Sequence, residues 1–403
     1  MIMNYKNQTA AILGSTGSVG TQAIDALCEF GVKITMLSAG SNAQRLIEQA
    51  RLCMPEIIAT PSEVCGDILR RELGDSHIKI YSGPDAVLRA IKECDSDLIV
   101  HSIAGLAGLP AALAAADTGA RIAMANKEAL ISAGHLIFDR LKKSGGELIP
   151  VDSEHSAIFQ CLCAQRAERT DAQADASRVR RIILTASGGP FFGQSAEDID
   201  RVTPSMALAH PTWKMGPKIT IDCATLMNKG FELIEACRLF GVDEDRVEVV
   251  VHRQSIIHSM VEYIDTSVIA QLSYPDMRDC VRFALTYPDR AGAGSPPLDF
   301  AKIGQLTFHE PDNEVFPLLN LARETWKRGG TAPTALIAAD EEAVDAFLRE
   351  KITFGDIARV VCDTMNACPV HDADSEESIF AAEAEAREIA KNILLRYTKG
   401  QSK

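Results

Sequence analysis

The sequence predicts an α/β protein in three parts, on three observations. Residues 9–150 alternate short apolar runs with helical patterns. Residues 151–290 mix buried runs with Gly/Pro loops, as an α+β unit does. Beyond about residue 312, helical periodicity takes over. Repeated βα units imply a parallel sheet with helices on both faces. The expected division is 1–150, 151–290, a linker at 291–311 and a helical bundle at 312–403.

In the first part, "AAIL" leads into Val19–Phe30, "KITMLSA" into Ala43–Cys53, and "EIIA" into Glu63–Leu73. "DLIVHS" precedes an Ala-rich helix near Ala111–Ala116, and "RIAMA" precedes Glu128–Lys143. In the second part, "VRRIILTA" reads as a buried strand and "SGGPFFG" as a loop. "HPTWKMGPK" is a long irregular segment with an exposed-looking Trp213, and "IIHSMVEYIDTSVIAQL" reads as two strands around a turn near Asp265. "AGAGSPP" is linker-like. In the third part, Ile379, Ala382, Ala386, Ile389 and Ile393 step by three and four onto one helix face.

The chain has 403 residues, 46% hydrophobic and 24% charged, which fits a globular protein with a sizeable core. A net charge of -14 argues against nucleic acid and anionic membranes as partners. No run reaches the roughly 18 apolar residues of a membrane span. The 11 scattered cysteines include no C-x-x-C pair, and the start carries no signal core, so a cytoplasmic location is expected.

"AILGSTGSVG" puts Gly14, Gly17 and Gly20 on the first βα turn. Glycines there permit close backbone approach to a pyrophosphate, and the helix start offers unpaired N–H groups. The first part therefore reads as a Rossmann-like dinucleotide domain. About 20 residues on, an NAD site usually places an acid. Here "LSAGSNAQR" offers Ser41, Asn42 and Arg45 instead, which favours NADPH.

"VDSEHSAIF" gathers Asp152, Glu154 and His155 around Ser153. It reads either as part of a divalent-metal site or as a solvated, acid-capped helix start. On an extended chain Asp152 and Glu154 would point the same way. A third acid must come from elsewhere, and "CATLMNKGFELIEA" is the best donor. On a helix, Asn228, Lys229 and Glu232 share one side. A solvated Lys–Glu face is the plainer alternative. Ser187 in "LTASGGP" follows a strand in a phosphate-friendly loop, and "AHPTWKMG" sets His210, Trp213 and Lys214 on an expected lid. "ANKEAL" puts Asn126, Lys127 and Glu128 at a strand end, where such sheets bind ligands.

Together "LGSTGSVG", "ANKEAL", "PVDSEHSAIFQ", "LTASGGPF", "HPTWKMGPKITIDCATLMNKGFELIEA", "HSMVEY" and "PDMR" resemble the 1-deoxy-D-xylulose 5-phosphate reductoisomerase family, in order and over nearly the whole chain. The resemblance implies that Asp152, Glu154 and Glu232 hold Mg²⁺ or Mn²⁺, with Co²⁺ a further option. It implies substrate contacts at Lys127, Ser153, Glu154, Ser187, His210, Trp213, Cys223, Asn228, Lys229 and Glu232. Catalytic roles are implied for Lys127, Asp152, Glu154, His210 and Glu232. Cofactor contacts are implied at Thr16, Gly17, Ser18, Val19, Gly40, Ser41, Asn42, Asn126, Glu128 and Gly216. A mobile flap carrying Trp213, a C-terminal bundle and a homodimer are also implied.

The implied reaction is a metal-assisted rearrangement of a sugar phosphate, by retro-aldol cleavage and re-addition, followed by NADPH reduction. The family usually has serine where this chain has Cys223. Near Lys229 and a helix N-terminus, that thiol would be expected to have a lowered pKa. The rival readings are another NADP-dependent dehydrogenase of a small phosphorylated substrate and a non-catalytic NADPH-binding regulator.

Overall fold

The computed structural model describes residues 8–74, 76–163, 176–209, 213, 215–292 and 294–400. The expectations for His210 and Lys214 lie outside the described residues.

The first sheet is parallel throughout. It contains β1 (Thr9–Leu13), β2 (Lys33–Ser38), β3 (Ile57–Thr60), β4 (Lys79–Ser82), β5 (Leu98–His101), β6 (Arg121–Met124) and β7 (Glu147–Pro150), in the order β4-β3-β2-β1-β5-β6-β7. Helices cover both faces, so the inner strands are apolar along their length. The connections reverse direction between β1 and β5, the place where such sheets open a ligand crevice. β4 and the helix Ala86–Glu93 form a βα unit that the apolar-run pattern did not predict. β4 is an edge strand without a single buried residue, so "KIYS" carries no apolar signal.

The turn after β1 is held at three points. Gly14 N and Ser15 N donate to Ser38 O at 3.0 and 2.8 Å, and Ser102 N donates to Leu13 O at 2.8 Å. Gly14 has φ +84°, and a Cβ there would lie 2.6 Å from Ser102 O. A Cβ on Gly20 would lie 2.4 Å from Gly14 O. Gly17 is different: its φ is -75° and a Cβ would meet nothing closer than 3.4 Å.

The second sheet contains β8 (Val179–Ala186), β9 (Val247–Val251), β10 (Ile257–Tyr263) and β11 (Val268–Leu272), in the order β11-β10-β8-β9. Only the β8–β9 pair is parallel. The turn expected near Asp265 is present, with Ser267 N and Oγ bonded to the Asp265 carboxylate at 3.0 and 2.6 Å. Helix Ser153–Cys163 packs on this sheet, and Tyr263 Oη donates to Cys161 O at 2.9 Å. Helix Met277–Thr286 reaches back to helix Ser18–Phe30, where Arg282 bonds Glu29 at 2.8 and 2.6 Å.

The linker-like segment lies against the body of the protein. Gly294 N and Ser295 N bond the Asp279 carboxylate at 2.7 and 3.2 Å, and His309 pairs with Val251. The C-terminal part is helical: Leu318–Arg328, Ala332–Leu348, Phe354–Ala367 and Glu376–Gly400. Ile379, Ala382, Ala386 and Ile393 are buried as expected; Ile389 is only partly so, and Ala390 takes the fully buried position. Lys218 ties this bundle to the centre, with Nζ 2.6 Å from both Asp222 and Asp340.

The glycine geometry gives a direct test. Gly20→Ala forces a Cβ against backbone and is expected to cost roughly 1–3 kcal/mol. Gly17→Ala is expected to leave stability almost unchanged. Urea unfolding of the two variants checks this; equal losses would contradict it.

Candidate active site

The register of the first sheet builds the centre of the site. Met124 of β6 pairs with Pro150 of β7, so the residues that follow these strands emerge side by side. Asn126 caps the helix Lys127–Ser144, its Oδ1 accepting from Ala129 N at 2.7 Å. Lys127 then reaches Asp152 Oδ2 at 3.0 Å, Asn228 Oδ1 at 2.9 Å and Glu232 Oε1 at 3.3 Å. Asp152 and Glu154 do not lie on an extended chain, as the alternation suggested. Ser153 begins a helix, Ser156 N donates to Asp152 O at 2.8 Å, and Glu154 N donates to the Asp152 carboxylate at 3.2 Å. The acids are brought together by a helix start.

The segment "CATLMNKGFELIEA" is two helices rather than one. Pro217–Ala224 ends at a break where Leu226 has φ +60°, and Met227–Phe240 begins there. Every residue of the second helix except Arg238 is buried, so its Lys–Glu pair is not a solvated face. Asn228 Nδ2 donates to Glu232 Oε1 at 2.5 Å. Lys229 bonds Glu154 Oε1 at 2.8 Å and also bonds Glu232 Oε2. Ser153 Oγ donates to the Glu154 carboxylate. Ligand oxygens of Asp152, Glu154 and Glu232 all lie within 4.8 Å of one another. An all-oxygen donor set of this kind suits a hard divalent cation.

The charges are tightly matched. Burial works against the charged form of Lys127, but Asp152, Glu232 and Glu235 outweigh it and hold its pKa well above the ordinary value. Lys229 is raised in the same way, by Glu154 and Glu232 against burial. For Asp152 burial is overcome by Lys127 and His155, and its pKa falls well below the usual carboxylate range. Burial and the neighbouring Glu154 raise Glu232. Burial also lifts Glu235 to about 7, and Glu235 and Asp152 lift His155 to about 9 in spite of burial.

His155 and Glu235 were not selected as site residues from the sequence. His155 Nε2 contacts Glu232 O at 3.0 Å, while Nδ1 lies 3.4 Å from Asp152 and 3.5 Å from Glu235. The imidazole thus braces two of the clustered acids. The signal was present: Glu235 stands three residues after Glu232, on the same helix side.

Beside this cluster lies the loop after β8. A Cβ on Gly189 would lie 2.9 Å from Cys223 O, so the Ser187 loop sits directly on the end of helix Pro217–Ala224. The glycine turn that follows Ser187 thus lies against the Cys223–Ala224 backbone. The expected lowering of the Cys223 pKa is overturned. Cys223 is near the C-terminal end of its helix, and burial and Glu232 push the thiol up. Trp213 is half-buried rather than exposed, its ring 6.2 Å from that of His258 on β10. Arg253, a cation between β9 and β10 that sequence reasoning passed over, bonds the carbonyl oxygens of Ser187 and Gly189 at 2.9 and 2.5 Å.

At the glycine turn, Gly17 and Ser18 are exposed, and Thr16 and Val19 partly so. Gly17 has no capping side chain, so the first-turn N–H groups of helix Ser18–Phe30 are left without a side-chain acceptor there. Gly40 and Ser41 are exposed at the end of β2, and Asn42 caps the next helix through Arg45 N at 3.1 Å. Arg45 pairs with Glu48 at 3.1 Å. Asn126 is committed internally, since its Nδ2 also donates to Ile103 O and Gly105 O at 2.5 and 2.8 Å. Any cofactor contact at Asn126 must use its backbone or follow a change in these bonds. Glu128 lies in the first turn after β6, and Gly216 begins helix Pro217–Ala224.

Three family models match the chain. One for 1-deoxy-D-xylulose 5-phosphate reductoisomerase covers residues 10–134, one for its C-terminal domain covers 148–240, and one for the DXP reductoisomerase C-terminal domain covers 272–389. The 1-deoxy-D-xylulose 5-phosphate reductoisomerase of Caulobacter vibrioides is 46% identical over 391 residues, 95% of this chain and 96% of the relative. That of Ralstonia nicotianae is 44% identical over 387 residues, 95% of this chain and 97% of the relative. Among solved structures, the Zymomonas mobilis enzyme in complex with NADPH superposes with a TM-score of 0.89 at 40% identity, covering 96% of this chain and 99% of that one. A DOX-P reductoisomerase complex with NADPH, fosmidomycin and magnesium gives a TM-score of 0.89 at 38% identity, covering 96% and 98%. With family models spanning most of its length and relatives this similar from end to end, the chain belongs to the 1-deoxy-D-xylulose 5-phosphate reductoisomerase family.

Proposed function

We propose that this chain rearranges and reduces 1-deoxy-D-xylulose 5-phosphate to 2-C-methyl-D-erythritol 4-phosphate, using NADPH and a divalent cation, in the methylerythritol phosphate route to isoprenoids. The observation that carries the reading is the convergence of Asp152, Glu154 and Glu232 with Lys127, Asn228 and Lys229 at the carboxyl ends of the strands. Asp152, Glu154 and Glu232 would hold Mg²⁺ or Mn²⁺. When bound there, the cation supplies Lewis-acid polarisation of the substrate's carbonyl and hydroxyl oxygens. NADPH at the glycine turn supplies the hydride.

The chain's own groups do the rest. Lys127 sits between the acids and Asn228, placed to orient a hydroxylated substrate at the cluster. Ser153 donates to Glu154, which fixes that carboxylate and leaves it placed for proton transfer. His155 braces Asp152 and the Glu232 backbone. Ser187, Cys223, Asn228 and Lys229 are the proposed phosphate contacts, and the family resemblance adds His210 and Trp213 as further substrate contacts. A remote phosphate lets binding energy position the reacting carbons and drive closure.

Thr16, Gly17, Ser18, Val19, Gly40, Ser41, Asn42, Asn126, Glu128 and Gly216 are proposed cofactor contacts. The division at 1–150, 151–290, 291–311 and 312–403 is likewise proposed; family models that end at 134 and begin at 148 support its first boundary. All 11 cysteines are unpaired, which supports a cytoplasmic location. Homodimeric assembly rests on the family resemblance. Among the described residues no helix is long and apolar enough to cross a membrane.

The decisive assay is NADPH oxidation with 1-deoxy-D-xylulose 5-phosphate, with and without Mg²⁺. Turnover that requires both is expected; none with both present would contradict the function. Asp152→Asn is expected to weaken Mn²⁺ binding at least about tenfold while leaving NADPH affinity unchanged. Calorimetry measures both, and unaltered Mn²⁺ affinity would remove Asp152 from the ligand set. No acid follows β2 at Gly40–Asn42, so NADPH is expected to exceed NADH by at least about tenfold in kcat/KM. Equal efficiency would refute the cofactor roles of Ser41 and Asn42.

A further inference from the structure

Arg253 grips the Ser187 loop, whose Gly189 also lies against Cys223 O. Its Nη1 donates to Ser187 O and Gly189 O, two residues apart, and its guanidinium lies 5.3 Å from the centre of the Phe192 ring in the same loop. The loop has reason to need a clamp. Gly188 and Gly189 have φ +75° and +61°, a pair of left-handed residues in a backbone that glycine leaves free to adopt many shapes. Packing allows one of those shapes little slack: a Cβ on Gly188 would lie 2.7 Å from Val251 Cγ1, and one on Gly189 would lie 2.9 Å from Cys223 O. Ser187 Oγ accepts from Gly189 N at 3.3 Å, which ties the hydroxyl to the same turn.

We infer that Arg253 is a positioning residue for phosphate recognition. It engages the two loop carbonyls that would otherwise be available to face an anion, and it holds the Ser187 hydroxyl and the glycine turn against Cys223 before substrate arrives. A guanidinium suits the task because it presents several fixed donors and no acceptor. This deepens the proposed function and rests on Ser187 contacting the substrate phosphate. A preformed cradle lowers the ordering cost of binding. It serves ground state and transition state alike, so its loss falls on KM and not on kcat.

The test uses the full chain with Arg253→Met and Arg253→Lys. In Arg253→Met, substrate KM and the inhibition constant of fosmidomycin are expected to rise about tenfold, with kcat changed by less than about twofold and the NADPH KM unchanged. Millimolar methylguanidinium is expected to recover part of the lost affinity in that variant and to leave the wild type unaffected. Arg253→Lys keeps the charge but not the forked donors, and its KM is expected to rise about threefold; it also carries the test if the Met variant fails to fold. Two results would overturn the inference: substrate KM near the wild-type value in both variants, or kcat and NADPH KM moving together with it. If the wild type does not turn over the sugar phosphate, the function reading fails instead. The clamp is then read from inorganic phosphate affinity in wild type and variants, and equal affinities would refute it.

Discussion

Charge compensation inside a nearly buried cluster governs this structure. Asp152, Glu154, Glu232 and Glu235 face Lys127, Lys229 and the His155 imidazole. Removing one partner from a buried ion pair typically costs about 3–5 kcal/mol, because the other charge is stranded. No single member can be dropped cheaply, and the groups come from separate stretches of chain. Lys127 and Asp152 follow adjacent strands of the first sheet, whereas Asn228, Lys229 and Glu232 stand on a helix after the second sheet has begun. The cluster therefore joins the two units at the same point where it would hold its ligand. Oxygen atoms of Asp152, Glu154 and Glu232 close enough to share one ion suit a hard divalent cation, and once filled the site would draw a phosphorylated substrate.

The surrounding architecture keeps this cluster in place. Helix Met227–Phe240 is packed between Lys127–Ser144 and Leu318–Arg328, and Gly230 lets Ala322 approach closely. The preceding helix is fixed from the C-terminal bundle through Lys218 and Asp340. The Ser187 loop lies against the Cys223 backbone at Gly189 and is bonded by Arg253 at Ser187 O and Gly189 O. Rigid groups thus surround the proposed metal and phosphate positions.

Much of this was legible in the sequence where a physical rule has one outcome. Strands covered on both faces must be apolar, so most of the βα units stood out. β4 did not, because an edge strand without buried residues has no such signature. The glycine turn was legible because Gly14 and Gly20 have no room for a Cβ, while Gly17 shows that a motif residue need not be demanded by the backbone. Asn228, Lys229 and Glu232 were legible from helical spacing. At Ser153 the sequence leaves an extended chain and an acid-capped helix start both open, since acids two apart fit either geometry until the following turn is placed; the helix start is what forms. Cys223 was misjudged because its helix ends there, and local sequence does not reveal which helix end a residue occupies when two helices abut. His155 and Glu235 each stand three residues after a clustered acid, a spacing that was there to read, whereas Arg253 meets the Ser187 loop across distant chain segments and leaves no spacing.

The central claim is that the acids at the junction form one divalent-cation site. Anomalous diffraction from crystals grown with Mn²⁺ tests it most directly. The account predicts a single strong peak coordinated by Asp152, Glu154 and Glu232 together. A peak elsewhere, or ion pairs of Lys127 and Lys229 left intact with no peak among these acids at saturating Mn²⁺, would contradict it.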